Sequence, residues 1–322
     1  MSKKRNKTRV LITGGAGFMG FHLATRLAKQ GYSVDLIDNL SRGVLDNSLR
    51  NLLKSKKIKL YKLDLKKKIK IKIFSYKFIF HCAAILGVRN VINNPYKVIN
   101  NNVSLLSNVL EYAQKQKNLK RFLFFSTSEV YGGSLKKGLL KFPTSENNLL
   151  CLDELNNPRS TYMLSKIYGE AMCHFSSIPF TILRPHNIFG ERMGMSHVIP
   201  ELTKKAKNHK KVFSVNNGNH KRAFCYIDDA INMILKIMNT QKTVGKTYNI
   251  GDPRFEIKII KLAKKILKIL NKNKKINFIE EKNYSPQKRL PDMKRLLKDI
   301  SFKFNSSFNY NLDKTVKWYE KN

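Results

Sequence analysis

Cysteine is scarce and scattered in this chain. Its four cysteines, Cys82, Cys151, Cys173 and Cys225, include no Cys-x-x-Cys pair, so neither a zinc ribbon nor a disulfide framework is indicated. That usage fits a reducing compartment, and the expected location is the cytoplasm. The seven histidines lack ligand spacing, Cys173-His174 being sequence neighbours only, and no metal is expected. Long apolar runs are missing too. No stretch approaches the ~18 apolar residues of a membrane span, so no membrane partner is expected. The apolar run behind Lys3-Lys4-Arg5 breaks into glycines and then carries His22 and Arg26, unlike a secretory leader. Acidic residues are few, 22 against 62 Lys plus Arg, for a net charge of +40. The lysines are spread over nearly the whole chain among Asn and Ile, as a global bias would leave them, and no nucleic-acid-binding motif accompanies them. Specific nucleic-acid binding is therefore not expected, although the charge would draw in a phosphate-bearing substrate. Internal repeats and disordered linkers are also lacking.

What is present begins at Val10. Val10-Leu11-Ile12-Thr13-Gly14-Gly15-Ala16-Gly17-Phe18-Met19-Gly20 reads as strand, glycine loop and helix. One glycine turns the chain sharply off the strand, another admits a pyrophosphate to the backbone, and a third lets helix and strand pack closely. The free amides at the helix start then hold the anion. Tyr32 to Asp38 reads as a second strand. Its last residue lies 24 positions after Gly14, near the ~20-residue offset of an acid that accepts ribose hydroxyls. Asp38 favours NAD over NADP, though Arg42 could meet a 2′-phosphate.

At 322 residues and 42% hydrophobic the chain can build one large domain or two ordinary ones. Phe21, Leu23, Ala24, Leu27 and Ala28 recur at helical spacing, with Gly31 placed to end the helix. Further strands are expected at Ile58 to Leu63, Phe78 to Ala84, Arg121 to Phe125 and Phe180 to Leu183. Helices are expected at Pro95 to Gln116, which carries Asn102 and Asn108, and at Ser160 to Phe175. Lys66 to Ile73 alternates Lys and Ile with period two, a strand signal. A crossover must occupy that place, so a short helix or irregular segment is expected instead. A loop of roughly thirty residues before Ser160 is long enough to cover a substrate. Asp228 to Met238 and Thr247 to Ile250 could rejoin the sheet as a helix and final strand. Ile257 to Leu270 and Leu312 to Glu320 read as helices. The fold class is α/β, a Rossmann-type doubly wound parallel sheet with a smaller α/β C-terminal lobe.

The chemistry gathers at strand ends. Arg121 to Phe125 delivers Ser126-Thr127-Ser128-Glu129 where open α/β sheets bind ligands. Tyr162 and Lys166, four apart, lie on one helical face. A tyrosine of pKa ~10 is a poor base near neutrality, and a neighbouring ammonium stabilises its phenolate. Thr127 can hold a reacting hydroxyl in line.

With these motifs the chain resembles, over nearly its full length, an extended short-chain dehydrogenase/reductase of the NAD-dependent epimerase/dehydratase family, which acts on nucleotide sugars. The resemblance runs through Thr13 to Gly20, Asp38-Asn39-Leu40-Ser41-Arg42-Gly43, Asp64-Leu65 and His81-Cys82-Ala83-Ala84. It continues through Ser126 to Gly132, Tyr162 with Lys166, and Arg184-Pro185-His186-Asn187-Ile188-Phe189-Gly190. It implies bound NAD, with Gly14, Gly17, Phe18, Met19, Asp38, Asn39, Asp64, Leu65, Ala83, Tyr162 and Lys166 as the cofactor-binding residues. It also implies a nucleotide-sugar diphosphate held by Asn187, Arg222 and Arg289. Residues 1–178, rejoined by about 225–250, would be the NAD-binding domain, and 179–224 with 251–322 the nucleotide-sugar-binding lobe. A homodimer through Pro95 to Gln116 and Ser160 to Phe175 is expected.

By that resemblance Tyr162 takes the proton from the sugar 4-hydroxyl while the C4 hydride passes to NAD, and the ketone's surroundings decide the outcome. Dehydratases follow the threonine with Asp-Glu; here Ser128-Glu129 stands, which counts against dehydration. A 4-epimerase, UDP-glucose 4-epimerase-like, needs only rotation of the ketone and return of the hydride, and Ala84-Ile85-Leu86-Gly87-Val88-Arg89 resembles the epimerase-type loop. A UDP-glucuronate decarboxylase is the alternative, resembled by Thr127-Ser128-Glu129 and by Asn157-Pro158-Arg159, with Glu129, Ser128 and Arg222 assisting loss of carbon dioxide. The expected activity is the epimerase, with Thr127, Tyr162, Lys166 and Glu129 catalytic. A non-catalytic NAD or nucleotide-sugar sensor on the same fold is the remaining possibility.

Overall fold

Short apolar runs alternating with amphipathic stretches build strands and helices in turn. The computed structural model describes residues 8–72, 75–152, 154–208, 211–280 and 286–322. Lys3, Lys4, Arg5 and Ile73 lie outside them. The first elements are β1 (Arg9–Thr13), α1 (Phe18–Lys29), β2 (Ser33–Asp38), α2 (Asn47–Leu53), β3 (Ile58–Lys62), β4 (Tyr76–His81), α3 (Val88–Asn93), α4 (Pro95–Gln114) and β5 (Arg121–Phe125). There follow α5 (Gly132–Lys136), α6 (Ser160–His174), β6 (Phe180–Pro185), β7 (Ile188–Phe189), α7 (Val198–Lys207), β8 (Val212–Asn216), β9 (Lys221–Ala223), β10 (Cys225–Tyr226) and α8 (Ile227–Asn239). The last are β11 (Thr247–Ile250), β12 (Glu256–Lys258), α9 (Ile259–Ile269), β13 (Lys275–Ile279), β14 (Lys288–Arg289), α10 (Lys294–Asp299) and α11 (Phe308–Lys321).

Among the described residues one sheet has seven strands in the order β11-β6-β5-β4-β1-β2-β3. The pairings from β6 through to β3 are all parallel. Parallel strands are covered on both faces and so read as continuous apolar runs; Val10, Leu11 and Ile12 are fully buried, as are Phe122 and Leu123. Leu105, Leu106 and Val109 of α4 pack with Phe122 and Phe124 of β5 and Cys173 of α6 in one core cluster. The chain leaves β1 towards β2 and β3, then returns to β4 on the other side of β1. Ligands of such sheets bind at the carboxyl ends beside that switch point.

By compactness the chain divides into two units. The first takes in the described residues of 1–130, 152–184 and 234–248, and the second those of 131–151, 185–233 and 249–322. Small sheets β10-β7, β12-β9-β14 and β13-β8 belong to the second unit, where α7, α9 and α11 pack on one another.

The crossover at Lys66 to Lys72 has neither helix nor ladder pairing. Its Ile69 and Ile71 pack against the core while Lys66, Lys68, Lys70 and Lys72 face solvent. The period-two alternation thus reports one-sided burial of an extended segment, without a strand partner. The region expected as helix from Ile257 divides instead into β12 and α9, because Glu256–Lys258 pairs antiparallel with β9. The long loop before Ser160 contains the short helix α5.

Candidate active site

The glycine loop is shaped by close contacts. Gly14 has φ +68°, and a Cβ there would lie 2.8 Å from the Ala83 amide nitrogen, so both conformation and space demand glycine. A Cβ on Gly20 would fall 2.3 Å from the Gly14 carbonyl oxygen, which brings the start of α1 hard against the loop. Gly17 is the N-cap of α1 and no side chain caps it. The first amides of a twelve-residue helix, at half-buried Phe18 and Met19, are thereby left for an anion.

Asp38 ends β2 as a buried carboxylate. Its Oδ2 accepts from the Ala16 amide at 3.0 Å and its Oδ1 from the Leu40 amide at 2.8 Å. Each oxygen keeps a lone pair for a further donor, and a Cβ on Gly43 would sit 3.1 Å from both. Asn39 is exposed and turns the loop by accepting from the Ser41 amide; Arg42 is also exposed. Asp64 accepts from the Lys66 amide, and the carbonyl of buried Leu65 accepts from Asn108 Nδ2 at 2.7 Å. Thr13 Oγ1 bonds His81 Nδ1 at 2.8 Å and accepts from the Ala83 amide at 3.4 Å. Burial, with the Lys166 charge second, lowers His81 to about 3, so this imidazole is neutral near pH 7 and serves as a brace.

At the end of β5, half-buried Thr127 accepts from the Glu129 amide at 3.2 Å, and Glu129 is half-buried in a single 3-10 turn. Lys166 is buried on α6. It donates to the Phe125 carbonyl at 2.6 Å, and its nitrogen lies 4.8 Å from the Phe124 ring centre and 6.0 Å from that of Tyr162. Burial lowers Lys166 to about 8, against the opposing pull of Cys82, Cys173 and Glu170.

Several supporting groups have long-range partners that no sequence pattern indicates. Asn102 accepts from the Ile85 amide at 2.7 Å and donates to the Ile85 carbonyl and to Ser165 Oγ, tying the loop after β4 to α4 and α6. Ser165 in turn donates to the Tyr162 carbonyl at 2.7 Å. Ser126, Glu170 and Arg184 form a buried cluster beneath the strand ends.

In the second unit, Arg222 of β9 and Arg289 of β14 are register partners on adjacent parallel strands. Burial first, and the like charge of Arg289 second, lower Arg222 to about 9. A planar guanidinium fork on each of two paired strands is chemistry that suits phosphate oxygens. Asn187, at φ +42°, donates to the Ala223 carbonyl at 3.2 Å, placing it beside β9. Asn249 ties the long loop to the Arg289 segment. Its Nδ2 donates to the carbonyls of Thr144 and Asp292 at 2.8 and 3.3 Å, and its Oδ1 accepts from Tyr131 at 2.9 Å. That fixes Asn249 Oδ1 as the acceptor, so His186 Nε2, 3.0 Å away, carries the proton.

Among the described residues no group of three or more His, Cys, Asp or Glu is placed to hold a metal. No described helix is long and apolar enough to cross a membrane.

The pattern of the NAD dependent epimerase/dehydratase family matches residues 10–251, and the chain belongs to that family of enzymes, whose cofactor is NAD. The chain is 30% identical to a UDP-N-acetyl-alpha-D-glucosaminuronate decarboxylase of Bacillus cytotoxicus, over 97% of this chain and 98% of that one. It is 28% identical to UDP-glucuronic acid decarboxylase 1 of Xenopus tropicalis, over 99% and 73% of the two chains. Its fold is that of the UDP-glucuronic acid 4-epimerase of Bacillus cereus, solved with UDP-glucuronic acid and NAD (TM-score 0.81, 24% identity, 98% and 99% covered). The glycine cradle, the uncapped helix start and the Asp38 carboxylate fit a dinucleotide.

Proposed function

We propose that this chain decarboxylates a nucleotide-linked hexuronate by way of a transient 4-keto sugar, with NAD as its cofactor. Gly14, Gly17, Phe18 and Met19 receive the cofactor's pyrophosphate, Asp38 and Asn39 a ribose, and Asp64, Leu65, Ala83, Tyr162 and Lys166 complete its binding. When bound, NAD would supply reversible hydride acceptance at C4.

The chain's own residues do the rest. Tyr162 takes the 4-hydroxyl proton, its phenolate favoured by the Lys166 ammonium, while Thr127 holds the hydroxyl in line. Asn187, Arg222 and Arg289 hold the diphosphate away from the reacting ring. Once C4 is a ketone, the C5 carboxylate belongs to a β-keto acid. The C5–C6 bond breaks, carbon dioxide leaves, the electron pair passes into the C4 carbonyl, and a proton is added at C5.

The run Thr127-Ser128-Glu129 carries this reading. Rotation of a ketone and return of the hydride need no second acid beside the threonine, whereas half-buried Glu129 stands two residues from it. Beside a substrate carboxylate Glu129 disfavours that charge and so favours its departure as carbon dioxide. The near full-length likeness to a hexuronate decarboxylase supports the same choice. The epimerase reading keeps one feature of its own, the likeness of Ala84 to Arg89 to the epimerase-type loop.

A homodimer is part of the proposal. The helices α4 and α6 pack together and leave Tyr96, Tyr168 and Phe175 exposed by 75%, 52% and 88%.

Incubation with NAD and a panel of UDP-glucuronate, UDP-N-acetylglucosaminuronate and UDP-glucose, followed by proton NMR, tests the reading. Carbon dioxide and a pentose nucleotide are expected. A sugar inverted at C4 with its carboxylate retained would instead establish the epimerase.

A further inference from the structure

Thr127 and the pair Tyr162–Lys166 stand on different elements, a strand end and a helix, so their relative position needs a fastening. Helix α6 presents Tyr162, Lys166 and Glu170 at four-residue steps along one face. Glu170 is buried at 6% exposure. Its Oε1 accepts from Ser126 Oγ at 2.5 Å and from Arg184 Nε at 2.9 Å, and its Oε2 from Arg184 Nη2 at 2.6 Å. Ser126 immediately precedes Thr127, and its amide donates to the Leu183 carbonyl of β6 at 2.8 Å. One carboxylate therefore joins the ends of β5 and β6 to the helix that carries the tyrosine. Consecutive residues of the strand end have separate tasks: the Phe125 carbonyl receives Lys166, Ser126 receives Glu170, and Thr127 faces the chemistry.

A buried arginine–carboxylate pair is weak support for stability, since apolar replacements of equal volume commonly do as well. A geometric role explains its presence better. We infer that Ser126, Glu170 and Arg184 are positioning residues for the reaction, setting Thr127 against the Tyr162–Lys166 face of α6. This rests on the reading of Thr127, Tyr162 and Lys166 as the reacting groups. Glu170 also faces Lys166 electrically, raising its proton affinity against the effect of burial.

The test uses the NAD-loaded enzyme with whichever sugar nucleotide of the panel it converts. S126A removes one hydroxyl and leaves the Glu170–Arg184 pair intact. It should lower kcat about tenfold or more with KM and thermal midpoint little changed, and S126T should restore most of the rate. E170Q should move the alkaline limb of the pH–rate profile to lower pH, because Lys166 loses a neighbouring negative charge while Arg184 keeps its positive one. Wild-type kcat in S126A, or an S126A loss accompanied by a fallen thermal midpoint that S126T does not restore, would overturn the inference; for a folded E170Q so would an unmoved limb. Absence of turnover by the unaltered enzyme on every sugar nucleotide would overturn the underlying reading, and the inference with it.

Discussion

The Lys166 amine is fixed by a 2.6 Å bond to the Phe125 carbonyl and stands 6.0 Å from the centre of the Tyr162 ring. An amine so held and so dry is ready to lose its proton: burial lowers Lys166 to about 8. Below that pH the ammonium is charged and favours the phenolate; above it the charge is gone. The rate kcat/KM should therefore fall as pH rises through about 8. K166M should lose this alkaline limb together with about a hundredfold or more of the rate. Steady-state pH profiles of both proteins check it.

Tyr162 is assigned the proton transfer. Y162F keeps the ring and removes only the hydroxyl, so the fold should be unchanged and NAD should stay bound through the glycine loop and Asp38, while turnover drops by about 10²–10⁴. Circular dichroism and cofactor absorbance after gel filtration supply the controls. A Y162F protein with full activity would favour the sensor reading.

Gly14 is irreplaceable on two grounds, its φ of +68° and the 2.8 Å approach of a would-be Cβ to the Ala83 amide nitrogen. G14A should unfold at lower urea, by about 1–3 kcal/mol, and should lose bound NAD on gel filtration. G31A, at a positive φ of +94° but with open space around it, should keep the cofactor despite a similar backbone cost.

Arg222 and Arg289 face each other across paired strands, and the buried member is depressed to about 9 by burial and its neighbour's charge. R289A should raise KM for the sugar nucleotide about tenfold or more with kcat little altered, the pattern of lost uniform binding. Inorganic pyrophosphate should raise the thermal midpoint of the unaltered protein and do so less in R289A.

What could be read in advance was local. The Gly14-to-Gly20 loop, Asp38 at a strand end and the Tyr162–Lys166 interval are each visible within a few residues, because strand, turn and helix periods fix where such side chains stand. Glu170 carried a signal as well, one more four-residue step along the same helix. Its partners Ser126 and Arg184 lie 44 and 14 residues away, and no local period could name them. Asn102, reaching Ser165 across 63 residues, and Asn249, holding a loop more than 100 residues upstream, are long-range contacts of the same sort. Lys66 to Lys72 shows the converse. Its alternation is that of a strand, yet only the burial of Ile69 and Ile71 sustains it, and backbone pairing cannot be inferred from side-chain pattern alone.

Under the proposed reaction the sugar is oxidised at C4 and reduced again at the same carbon, with no net consumption of NAD. Substrate carrying deuterium at C4, turned over in ordinary water and read by NMR, tests it most directly. Product with deuterium retained at C4 and no accumulated NADH is expected. Product with solvent hydrogen at C4, or NADH formed in step with product, would contradict it.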